Sequence, residues 1–216
     1  MAIRFSSPNA IPIEPPVDLI LASQSIGRRA LLEKLGVRFR IIATHINEDN
    51  IQGGDPIGTL RKRAAAKADE IAGHPGVYGV SETAKTLVIA ADSMGFIGKR
   101  TFGKPADREH VKTLLKSLMG KTHTFGTAIH LVYLVAGKVK KSWEKVVKTK
   151  VTLKKLTPVE IESYVARYDL SRFAAGYAFN EAPWDLVTKI DGSYTNVIGL
   201  PFEVLLPILR SLKVIV

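Results

Sequence analysis

The chain has 216 residues, 46% hydrophobic and 24% charged, which is the make-up of a globular protein with material for a core. Its 31 Lys and Arg against 20 Asp and Glu give a formal charge of +11, which admits nucleic acid, an anionic membrane surface or a small polyanion as partner, beside a basic surface kept for solubility. The absence of cysteine excludes disulfides and thiolate chemistry and fits a cytoplasmic protein, and no apolar run reaches the ~18 residues of a membrane-spanning helix.

Residues 1–17 hold Pro8, Pro12, Pro15 and Pro16 and no signal-peptide core, so they read as an extended N-terminal arm before one domain over 18–216. "DLILAS" (18–23) has strand length, and "RRALLEKLG" places Leu31, Leu32 and Leu35 on one helix face with Gly36 as the stop. "RFRIIATHI" (38–46) reads as a second strand and "INEDNIQGGD" as a loop. Asp55 and Pro56 start a helix that runs to about Ala72, and Gly73 ends it. "TLVIAAD" (86–92) is a continuous apolar run, as in a strand buried on both faces, and "FIGKRTFGKP" reads as a hairpin or tight loop.

The next helix turns Val111, Leu114, Leu115 and Leu118 inward and stops at Gly120. Two long β segments joined at Ala136-Gly137-Lys138 form an antiparallel hairpin. Thr157 and Glu160 make a capping box, with Pro158 at the first helical position. A glycine-containing loop, a strand "DLVTKI", a loop "DGSYTNVIG" and a helix from Pro201, with Pro207 inside it, finish the chain. Helices and strands interleave with one clear hairpin, so the fold class is α/β with a mixed sheet flanked by helices.

Several residues carry chemistry. Asp92 closes a buried strand, and ligands of open α/β sheets bind beyond the carboxyl ends of strands. A carboxylate there can hold a metal, act as base toward water, or only start a turn. Lys67 falls on the apolar face of its helix with Leu60, Ala64, Ala68 and Ile71, while Arg61, Lys62, Arg63, Asp69 and Glu70 point elsewhere. Either an anion meets it inside or its chain snorkels to water. Lys104, in "FGKP", is a weaker candidate of the same kind. In "ASQSIGRR", Ser23, Ser25, Arg28 and Arg29 meet at a strand-to-helix junction. Hydroxyls, free helix N–H groups and guanidinium forks there suit phosphate, although no Walker loop is present. The plainer reading is a Ser25 cap with two solvated arginines. Glu48 is a second carboxylate after a strand, or a surface acid. Glu181 and Asp185 read a base edge or belong to an ordinary loop, and the histidines show no metal-ligand spacing.

The order of "LILASQSIGRRALLEKLG", "INE", "RKRAAAKADEIA", "LVIAADS", "FGKP", "LMGKTHTF" and "GSYTNVIGLP" resembles the Maf family of nucleoside triphosphate pyrophosphatases, over nearly all of 18–212. The resemblance implies an elongated two-lobed α/β body with a central cleft. It implies hydrolysis of a nucleoside triphosphate to monophosphate and diphosphate with a divalent cation, Mg²⁺ or Mn²⁺. It also implies a house-cleaning role with a link to septum formation and cell-division arrest, a homodimer, no membrane and no stable nucleic-acid complex. Asp92 matches the catalytic acid that activates water, Glu48 an acid near the metal, and Lys67 and Lys104 the lysines facing the phosphates. Ser23, Ser25, Arg28 and Arg29 match the phosphate-binding loop. Gly27, Ser93 and Glu181 fall where the branch preferring dTTP and UTP differs from the one preferring 7-methyl-GTP. Glu181 leans to the second, because a carboxylate accepts the N1–H and N2–H of guanine. Gly27 and Ser93 settle nothing, and the substrate stays open. The alternative is a non-enzymatic basic protein that binds nucleic acid or regulates division.

Overall fold

The computed structural model describes residues 17–178, 183 and 185–216. Strands β1 (Asp18–Leu21), β2 (Arg40–Ile41), β3 (Lys85–Ile97), β4 (Arg100–Phe102), β5 (Thr122–Val135), β6 (Lys138–Leu153) and β7 (Val187–Asp191) form one mixed sheet. Its order is β2-β1-β3-β5-β6-β7, with β4 hairpinned onto β3 off that row. β1 lies parallel to both β2 and β3, and the later pairings are antiparallel. Parallel neighbours need crossovers, supplied here by α1 (Ile26–Lys34) and α2 (Pro56–Gly73). The remaining helices are α3 (Arg108–Leu118), α4 (Pro158–Arg167), α5 (Tyr194–Ile198) and α6 (Phe202–Ser211). The α/β class and mixed sheet expected from the sequence are therefore what the chain forms.

The period of two along β3 sets the layers. Leu87, Ile89 and Ala91 face α1 and α6, where they meet Leu31, Leu32, Leu205 and Leu209. Val88 and Ala90 face the other way, onto Ala68 and Ile71 of α2. With both faces covered, the sequence there has no reason to alternate. A further core lies under α3 and α4, built on Phe102, Leu115, Val151, Leu153 and Ile161. The cleft opens between these cores.

Local signals explain the boundaries that held. Asp55 caps α2 by accepting from the Gly58 N–H at 2.7 Å, and Thr157 and Glu160 form a capping box on α4. Ala136 (φ 52°) and Gly137 (φ 72°) give the β5–β6 hairpin two consecutive left-handed residues, as a type I′ turn requires. α6 runs on through Pro207.

Three expectations need correction. β2 is two residues long rather than nine, because β1 offers it partners only at Ile20 and Leu21; beyond them the chain leaves the sheet. β3 does not stop at Asp92 but continues to Ile97, paired with β5 as far as Phe96. The final loop contains α5, a single capped turn too short to show helical periodicity. The expected arm lies, apart from Val17, outside the described residues, as does Glu181.

Candidate active site

The alternation that builds the core also builds the site. Asp92 falls on the α2 face of β3 and the next residue, Ser93, on the α1 face. Each meets a cation from its own side. Lys67 Nζ donates to Asp92 Oδ1 at 2.8 Å and to the Ala91 carbonyl at 3.3 Å, and it pairs with Glu48 Oε2 at 2.9 Å. On the other side Arg28 Nη2 donates to Ser93 Oγ at 2.9 Å. Asp92 is mid-strand, yet β1 and β2 have already ended, so the cleft opens beyond their carboxyl ends.

Lys67 is 5%, Asp92 6% and Arg28 7% exposed. Inward placement of Lys67 is therefore met by two carboxylates rather than by snorkelling. Burial pushes the Asp92 carboxyl above its ordinary value; Lys67 and Arg28 pull it back only in part, and the charge of Glu48 adds to the rise. Burial also pushes Glu48 upward, but Lys67, a hydrogen bond with Asp92 and the charge of Arg28 together leave it below the ordinary range. The two neighbouring carboxyls are thus driven in opposite directions, an arrangement that suits one of them to take a proton while the other stays ionised.

The β1–α1 turn holds the second cationic group. Ser23 Oγ accepts from Arg28 Nη1 at 2.8 Å and from the Ser25 N–H at 3.2 Å, while Ser25 Oγ caps α1 on the Arg28 N–H. Ser25 is thus the cap that its plainer reading suggested, and it also lines the cleft. Helix geometry leaves the N–H groups of Ile26 and Gly27 without intrahelical acceptors, at residues that border the same cleft. Arg28 Nε donates to the Gly199 carbonyl at 3.0 Å. Three protein acceptors thus fix the guanidinium, and among the described residues one N–H on each Nη remains for a ligand. Burial lowers the Arg28 pKa, opposed by Asp92 and Glu48.

The structure separates Arg29 from this group. It is exposed and ion-paired with Glu33 at 2.7 Å, one turn along α1, and does not line the cleft. Lys104 does line it. Gly27 packs against α5, and a Cβ there would lie 2.8 Å from the Ile198 carbonyl oxygen. Asp185 lies elsewhere, bound to Lys154 and Tyr164.

The cleft measures about 1190 Å³. Its wall holds cations that the sequence did not single out, Arg63, Lys99 and Arg172. Arg63 was expected to point away; it lies one turn before Lys67, and its Nε donates to the Ile51 carbonyl at 3.2 Å. Its i,i+4 spacing from Lys67 was the available signal. Lys99 sits in a turn and Arg172 in a single 3-10 turn (Leu170–Arg172), both too short for periodicity to mark a face.

Among the described residues no group of three or more His, Cys, Asp or Glu converges as a ready metal site. Glu48 and Asp92 fit a hard divalent cation in another way, since such ions are commonly held by one or two carboxylates together with substrate phosphate oxygens. Only one oxygen of each carboxylate is engaged by Lys67.

The class of protein defined here is an α/β fold whose sheet ends in a cleft lined by a buried aspartate, a half-exposed glutamate and a fixed arginine. A family model described as Maf-like protein matches residues 18–212, and the chain belongs to the Maf-like family. Among its relatives, a dTTP/UTP pyrophosphatase from Pelotomaculum thermopropionicum is 35% identical over 194 residues, covering 90% of this chain and 96% of that protein. One of the same description from Aquifex aeolicus is 34% identical, covering 91% and 96%. A solved nucleoside-triphosphatase / dITP/XTP pyrophosphatase from Mycobacterium abscessus aligns over 91% of this chain and 98% of its own at TM-score 0.40 and 12% identity, a likeness too distant to bear on function.

Proposed function

We propose that the protein is a nucleoside triphosphate pyrophosphatase, releasing a nucleoside monophosphate and diphosphate, with dTTP and UTP as first candidate substrates. The observation that carries this reading is Lys67 buried between Asp92 and Glu48 on the cleft floor, opposite the fixed guanidinium of Arg28. The pyrimidine preference rests on relatives that share about a third of their residues with this chain and are described as dTTP/UTP pyrophosphatases. A second reading, 7-methyl-GTP, rests on Glu181 in the sequence.

In this mechanism Asp92, raised in pKa by burial, takes a proton from the attacking water. The water oxygen bonds to the α-phosphorus as the bond to the bridging oxygen breaks, and diphosphate leaves. Lys67 keeps Asp92 and Glu48 side by side. Arg28, with the α1 N–H groups, and Lys104 in the cleft lining meet the charge on the phosphates. A divalent cation held by Glu48 and Asp92 would supply further charge neutralisation.

The test is a panel of canonical and modified nucleotides with Mg²⁺ or Mn²⁺, scored for diphosphate release. Hydrolysis of dTTP and UTP supports the reading, while hydrolysis of 7-methyl-GTP in preference would move it to the second substrate. No hydrolysis anywhere, with steeply salt-dependent DNA binding, would favour the non-enzymatic alternative.

A further inference from the structure

Beneath α5 a file of hydrogen-bonded polar side chains crosses the sheet. Ser93 on β3 stands directly opposite Thr127 on β5, and their hydroxyls are 2.9 Å apart. Thr127 Oγ1 donates to the Asn196 carbonyl of α5 at 2.9 Å. Its proton is therefore committed, and it must accept the proton of Ser93. Ser93 Oγ in turn accepts from Arg28. The donor direction runs one way, from Arg28 to Ser93 to Thr127 to the α5 backbone.

Asn196 anchors the far end. Its Nδ2 donates to the Phe125 carbonyl at 3.2 Å and to Thr149 Oγ1 at 2.9 Å, and Thr149 Oγ1 donates to the Ser193 carbonyl at 3.1 Å. Thr127 and Asn196 are wholly buried. A buried hydroxyl that loses its partner leaves the next one unsatisfied, so the file holds or fails as a unit. α5 also supports Arg28 directly, because the Gly199 carbonyl just after it accepts from Nε. Gly199 takes φ 122°, and a Cβ there would crowd Arg28 Nε at 3.1 Å.

We infer that Thr127 and Asn196, neither of which lines the cleft, are positioning residues that set the phosphate-facing guanidinium of Arg28 through Ser93 and α5. This inference rests on the proposed function for the identity of the ligand, but it is tested by binding alone. The experiment measures the affinity of the full chain for inorganic tripolyphosphate by calorimetry. Thr127→Val keeps the volume and removes both ends of the relay, so it should weaken binding about tenfold, and Thr127→Ser should restore it. In an Arg28→Met background, Thr127→Val should change little more, because the two act in series.

Equal affinity of wild type and Thr127→Val, or an undiminished loss in the Arg28→Met background, would overturn the inference. So would failure of the wild type to bind tripolyphosphate. Should Thr127→Val not fold, Ser93→Ala cuts the same file next to Arg28 and must give the same loss; unchanged binding there would likewise overturn it. A wild type that binds tripolyphosphate but hydrolyses no nucleotide would sink the enzymatic reading and leave this one standing.

Discussion

Lys67 concentrates the chemistry of the site in one ammonium group. It is nearly inaccessible and touches two carboxylates, so its removal leaves Asp92 buried beside Glu48 with only the more distant charge of Arg28 to offset it. Truncating one partner of a buried ion pair costs about 3–5 kcal/mol, and protonation of the orphaned acid offsets part of that. We expect Lys67→Met to lose roughly 3 kcal/mol in urea unfolding at pH 7. Without Lys67, Asp92 has a folded pKa raised still further above the unfolded value, so its penalty is full at neutral pH and relaxes as pH falls. Repeating the measurement near pH 5 should show a smaller gap to wild type; an equal gap at both pH values would contradict it. Gly27 makes a different residue-scale prediction. Its Cβ would meet backbone rather than a movable side chain, so α1 and α5 would have to part. Gly27→Ala should cost about 1–3 kcal/mol, as overpacking does, and weaken nucleotide binding through Arg28. Unchanged unfolding and binding would show that α5 yields freely.

At the scale of elements, β5 buries His123, with Nε2 2.8 Å from the Tyr177 hydroxyl and, among the described residues, no partner for Nδ1. Burial depresses its pKa to about 4. The unfolded chain takes up that proton near pH 6.5, the folded one only near 4, so stability is complete above about 6.5 and drains as pH falls between the two. The loss is of order 3 kcal/mol. Urea unfolding of wild type and His123→Phe at pH 7 and 4.5 should give a visibly flatter pH dependence in the variant; parallel profiles would refute the assignment. Most elements were legible in the sequence where they carried a cap or a period. α2, α4 and the β5–β6 hairpin announced themselves by Asp55, Thr157 with Glu160, and Ala136-Gly137. β2 was over-read because β-branched residues mark extended chain whether or not a neighbouring strand is there to pair with it. α5 was missed because one turn is shorter than the period that reveals a helix.

Across the whole molecule, the candidate site was legible wherever a residue broke a pattern. Lys67 on an apolar face and Asp92 in an apolar run were both anomalies, and both lie on the cleft floor. Glu48 had no such mark; only its distance to Lys67 places it there. Arg28 and Arg29 were indistinguishable in sequence, and the 100° step between helix neighbours sends one into the core and the other to Glu33. Thr127 and Asn196 had no signal, since a strand threonine and a turn asparagine are ordinary until the register sets them in file. The central claim is that Asp92 is the base of a nucleotide hydrolysis performed in this cleft. Its most direct test compares wild type with Asp92→Asn for diphosphate release from the preferred nucleotide, with nucleotide affinity measured on the same samples. The account predicts at least a thousandfold loss of turnover, about 4 kcal/mol of transition-state stabilisation, with nucleotide still bound by the variant. Turnover by Asp92→Asn at the wild-type rate would contradict it.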